Sequence, residues 1–163
     1  MRLKFDIKNI NGDNESVVID ENKFRFSDAT ISKYMEEEAS WYDYYGMKLV
    51  EVERNYQLIE CEYETRYNLK FSEYKAAGAS DKAAEANSKS DPEISALKKM
   101  MIEEKAKVRL LQQHLKAWDK NHENANNRLH MLRKELDKFR VDFKETEVTF
   151  QDKLEEIMSE NNT

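Results

Sequence analysis

LKKMMIEEKAKVRLLQQHLKAWDKNHENANNRLHMLRKELDKF, residues 97–139, decides the fold. Apolar side chains recur along it in steps of three and four: Leu97, Met101, Val108, Leu111, Leu115, Trp118, Ala125, Leu129, Leu132, Leu136 and Phe139. The track runs on through Phe143 and Phe150 to Ile157, with Leu154 one place off its expected position. Only Glu104, His122 and Thr146 are polar members. A helix turns once in 3.6 residues, so a 3.5-residue repeat faces one partner continuously only if the helices supercoil. A stripe of this kind needs another helix to cover it, and the chain is expected to assemble.

Upstream, Asp91-Pro92 begins this helix: Asp91 can cap unpaired N–H groups, and Pro92 in the first turn loses nothing by lacking one. Residues 78–91, GASDKAAEANSKSD, carry no large apolar side chain and predict a solvated linker with some helical content. Before them a second stripe, Ile31, Met35, Tyr42, Tyr45, Leu49, Val52, Tyr56, Ile59 and Tyr63, drifts at Tyr67, Phe71 and Tyr74. Ser27 is the expected N-cap of this first helix, and Gly78 suits the left-handed residue that ends it. Residues 1–20 alternate as a β-hairpin, with Leu3, Phe5 and Ile7 on one strand, Asn11-Gly12-Asp13 turning, and Val17-Val18-Ile19 returning.

The expectation is an all-α protein: a long antiparallel helical hairpin or coiled coil with a small N-terminal β-hairpin, oligomeric. Its parts are a hairpin-like segment over 1–26 and a helical hairpin over 27–138, with helices at about 28–77 and 92–138. A helical extension with a disordered end follows over 139–163.

Charged residues make up 37% of the 163, against three Gly and one Pro, the balance of a protein with few places to turn. One cysteine, Cys61, excludes an internal disulfide and fits a reducing compartment. With no signal-like leader and no apolar stretch of about 20 residues, the chain is expected to be soluble and cytoplasmic. The net charge of −6 is unevenly spread. Residues 28–77 hold six basic against eleven acidic side chains; residues 92–138 hold eleven basic against seven acidic.

No phosphate-cradling Gly loop, Cys-x-x-Cys pair or His-Glu-x-x-His helix occurs, so neither catalysis nor a metal or other cofactor is expected. His114, His122 and His130 stand eight apart and do not share a helix face; His122 suits a register-setting seam position. The end of the first helix is more suggestive. There Arg66, Lys70 and Lys75 interleave with Tyr67, Phe71 and Tyr74, and the run Lys98, Lys99, Lys105, Lys107, Arg109, Lys116, Lys120 starts beside the linker. Cations track phosphates and rings stack on unpaired bases, the recipe for a single-stranded nucleic-acid site. Arg66, Lys70, Lys75, Lys98 and Lys99 are therefore the candidate contacts, and Leu129, Leu132, Leu136, Phe139, Phe143 and Phe150 the candidate oligomerisation residues. The competing reading is a structural scaffold or adaptor, in which the opposed charges of the two helices only set their pairing.

Val17-Val18-Ile19-Asp20 through Phe24, the Tyr/Trp-rich helix to Tyr74-Lys75-Ala76-Ala77-Gly78, Asp91-Pro92-Glu93-Ile94, Val108 through Ala117, and Arg128 through Arg133 follow one another in a distinctive order. Over roughly 17–138 this order resembles the UvsY recombination mediators of T4-like phages. The resemblance implies a single-stranded DNA-binding homo-oligomer, a ring of six or seven subunits. It would help load a RecA-like recombinase onto DNA coated by single-strand-binding protein, without being an enzyme. The family's basic pair falls on Asn68 and Lys70, so only Lys70 carries over; Asn68 and the net acidity depart from the pattern, and the tail beyond 138 has no counterpart.

Overall fold

The structure, a computed structural model, describes residues 2–160, with the side chains of Phe24, residues 145–146 and residues 148–160 outside what is described. The side chains of Phe150, Leu154 and Ile157, and residues 161–163 of the end expected to be disordered, lie outside the described residues. The order is β1 (Arg2–Lys8), β2 (Asn14–Asp20), a 3-10 turn (Glu21–Phe24), α1 (Ile31–Ala76), α2 (Asp81–Ser90) and α3 (Pro92–Glu160).

β1 and β2 pair antiparallel from Arg2 against Asp20 to Lys8 against Asn14. Strand alternation sends Ile7, Val17 and Ile19 inward, where each is almost fully buried. Gly12 supplies the positive φ that the turn needs, at 88°.

Helices α1 and α3, of 46 and 69 residues, span about 69 and 104 Å at 1.5 Å per residue. They run antiparallel, as cross-seam contacts show in order: Arg66 meets Glu93, Lys105 meets Tyr56, Gln112 meets Glu53, His122 meets Glu38 and Arg128 meets Asp28. The main core joins three elements, with Tyr45 and Val52 of α1, Leu111 and Trp118 of α3, and Ile7, Val17 and Ile19 of the hairpin. A second cluster, Ile31, Tyr34 and Ala125, closes the far end of the seam with Phe26, Leu129 and Leu132 packed on it.

The β-hairpin is seated by polar contacts as well. The Tyr45 hydroxyl donates to the Val18 carbonyl at 2.8 Å, Asn55 Nδ2 to Lys8 O at 2.8 Å, and Lys107 Nζ to Asp6 O at 2.8 Å. Lys48 is only 7% exposed and bridges Glu15 of β2 (2.8 Å) and Glu51 of α1 (2.9 Å). Burial works against its charge, but the two carboxylates outweigh that and raise the Lys48 pKa.

Several expectations change. The 78–91 linker is mostly α2, capped by the Ser80 hydroxyl, with Ala84 and Ser88 buried. Its small side chains let the backbone lie close against the larger helices. Ser27 is not the cap of α1. Its N–H is taken by Thr30 Oγ1 in a turn, Thr30 precedes the first helical residue without a side-chain cap bond, and Asp28 is bound by Arg128. Tyr42, placed on the seam by its spacing, is 38% exposed, while Tyr34, off that stripe, is buried against Phe26. Gly78 does end α1, at φ 89°, with Ala79 N–H returning to Tyr74 O at 3.0 Å.

Candidate nucleic-acid interface

The three helices meet where α1 ends, and Arg66, Lys70 and Lys75 come together there. Each lies on a carboxylate of the same chain. Arg66 is 3.5 Å from Glu93, Lys70 is 3.6 Å from both Glu73 and Asp91, and Lys75 is 2.6 Å from Asp81. Asp91 first, then Glu73, raise the Lys70 pKa above its ordinary value. Tyr63 and Tyr67 stack on each other with centroids 6.1 Å apart, and Phe71 and Tyr74 are half-buried. Asp91 also caps α3, accepting from the Glu93 N–H at 2.9 Å. These cations thus tie the α1–α2–α3 junction together, and a phosphate would have to compete with carboxylates already in place.

Lys98 and Lys99 are different. Both are exposed on α3, and among the described residues neither has an ion pair or hydrogen bond. The same holds for Arg109, Lys116 and Lys120. Lys105 lies beside the Tyr56 ring, 5.4 Å from its centroid. Lys107 is engaged by Glu104 at 2.6 Å and by the β1 backbone. Comparison with protein-family models, with curated proteins and with solved structures finds no match.

The assembly residues also divide. Leu129 and Leu132, expected between subunits, pack within the chain against the Ile31–Tyr34–Ala125 cluster. The overhang proper begins at Leu136, 62% exposed, with Phe139 at 68% and Phe143 at 63%. Leu136 lies one turn past Leu132, the last α3 residue packed on the Ile31 cluster. From there the α3 backbone continues about 36 Å to Glu160.

His122 does sit on the seam. Its Nδ1 meets the Glu38 carboxylate of α1, and its Nε2 meets Asn126 Nδ2 at 2.7 Å. His114 is 8% exposed between the rings of Tyr45 (4.5 Å) and Trp118 (5.6 Å), and burial lowers its pKa to about 4. A groove of about 450 Å³ below the β-hairpin is lined by Ile7, Asn55, Leu58, Met100, Glu104 and Lys107 among others. Its Lys107 and Glu104 neutralise each other. Among the described residues no cluster of His, Cys, Asp or Glu could hold a metal, and no helix is long and apolar enough to cross a membrane.

Proposed function

We propose that this chain is a single-stranded DNA-binding recombination mediator. It would help a RecA-like recombinase replace single-strand-binding protein on DNA, acting by binding and assembly. The observation that carries the reading is the set of exposed α3 cations with no carboxylate partner among the described residues, in a chain whose net charge is −6. Solvated cations left uncompensated on an acidic protein favour a polyanion, and counterion release drives such binding. The resemblance to the UvsY mediators supplies the kind of polyanion and the partner proteins. The exposed Leu136, Phe139 and Phe143 support assembly of several copies, which would turn weak single contacts into avid ones.

Filter binding of labelled single-stranded DNA tests this directly. Binding is expected at low salt, weakening steeply as salt rises. Absence of binding at low salt, or affinity indifferent to salt, rejects the reading. A second assay follows recombinase filament formation on strands pre-coated with single-strand-binding protein, which the protein should accelerate.

The scaffold reading has its own support in the cations that are paired. Arg66, Lys70, Lys75 and Arg128 all meet carboxylates on another helix or turn of the chain, as charges that set helix pairing would. A protein that assembles normally yet ignores DNA would favour it.

A further inference from the structure

Lys98, Lys105, Arg109, Lys116 and Lys120 follow one another in steps of seven, four, seven and four. At 100° per residue those steps return to within about 40° of the same direction, so the five side chains form one straight row along α3. The row extends for 22 residues, about 33 Å. Ile102, Gln112 and Gln113 lie between the cations on this face, with Asp119 at its edge between Lys116 and Lys120. Three carboxylates beside the row hold neutral hydrogen-bond donors rather than its cations. Glu53 accepts from Gln112 at 3.1 Å, Glu60 from the Tyr56 hydroxyl at 2.6 Å, and Asp119 is hydrogen-bonded to the Tyr42 hydroxyl. Glu123 ends the row on the same face.

We infer that this row is the lane that holds the phosphates of a single strand, running parallel to the α3 axis, and that the aromatic-basic end of α1 is a structural joint outside it. The inference rests on the single-stranded DNA reading and specifies its site. A flexible single strand can lie along a straight row of point charges, whereas duplex DNA is stiff and turns its phosphates away from a straight line. Lysine and arginine here act on phosphate and carry no base readout, so binding is indifferent to sequence. Tyr42 and Tyr56 of α1 flank the lane, and Tyr42 has enough exposed ring to meet a base.

The salt dependence gives the lane a number. Five phosphates neutralised on a single strand predict a log–log slope of affinity against salt of about −3.5 per bound subunit. Replacing three of the five should reduce it to about −1.4. The test uses the full chain, an oligothymidylate of about 12 nucleotides, and fluorescence anisotropy at several salt concentrations. K98A/R109A/K116A removes three exposed cations that make no ion pair or hydrogen bond among the described residues, so its helical circular dichroism should match the parent. K98R/K116R keeps the charge and should keep the slope. R66A/K70A/K75A is the comparator and should retain the parental slope. The lane is overturned if the α3 triple variant binds with the parental slope, or if the comparator alone loses it. If the parent itself fails to bind the oligonucleotide at low salt, the single-stranded DNA reading falls, and the lane with it.

Discussion

His114 makes the pH dependence of folding predictable. Its imidazole is enclosed by Tyr45 and Trp118, neither of which carries charge at neutral pH, and burial holds its pKa near 4 against an ordinary value of 6.5. The folded-state value is depressed, so as pH falls the unfolded chain takes up the proton first. Stability from this group is complete above about pH 6.5 and is lost progressively as pH falls toward 4. At pH 5 the unfolded imidazole is almost fully protonated and the folded one barely so, a loss of about 2 kcal/mol, approaching about 3 kcal/mol near pH 4. Urea unfolding at fixed protein concentration, from pH 7.5 down to 4.5, measures this. The reference is H114L, which has no proton to take up at this site. Carboxylates titrate in both proteins, so the difference between their curves isolates the histidine. That difference should shift in favour of H114L by about 2 kcal/mol between pH 7.5 and 5. Parallel curves would mean that His114 is protonated as readily in the folded chain as in the unfolded one, and the account of its burial would be wrong.

W118A removes the largest fully buried side chain, shared by α1, α3 and the β-hairpin, and should cost about 3–5 kcal/mol in urea unfolding. Y45F leaves the Val18 carbonyl without its 2.8 Å partner and should cost about 1 kcal/mol, with faster amide exchange in β2 than in the far end of α3. F139E/F143E changes two exposed side chains on the overhang; sedimentation should show smaller assemblies while helicity holds. L129D, by contrast, should destabilise the chain itself, because Leu129 packs on the Ile31 cluster.

The seam was legible because helical periodicity is a local property repeated many times. Asp91-Pro92 and Gly78 were legible because caps and left-handed residues have strong chemical preferences. What periodicity alone could not supply was the third body in the core. Tyr45 and Val52 read as members of an ordinary seam, yet they also seat the β-hairpin, and that seat accounts for Lys48 buried between them with Glu15 and Glu51. The same limitation explains α2. A stretch without large apolar residues looks solvated, but Ala84 and Ser88 bury by being small where two larger helices already meet. Ser27 failed as a cap for a local reason, since Thr30 offers its own hydroxyl to the Ser27 N–H.

Charge was the least legible layer because its meaning depends on who stands opposite. Arg66, Lys70 and Lys75 look like the better DNA site in the sequence, being interleaved with rings. Antiparallel register then places Glu93 and Asp91 at the start of α3 beside them, and α2 brings Asp81. The register that completes the fold therefore uses up that patch. Further along α3, the same register sets Gln112 against Glu53 and Tyr56 against Lys105, so a carboxylate and a ring face the row where an opposing ion pair could have formed. The scaffold and mediator readings do not compete for the same cations: pairing holds the junction, and the solvated row remains available to a strand. A protein built only to assemble would gain solubility from such a row equally well if its charges were scattered around α3. Their alignment on one face is what the proposed DNA lane would use.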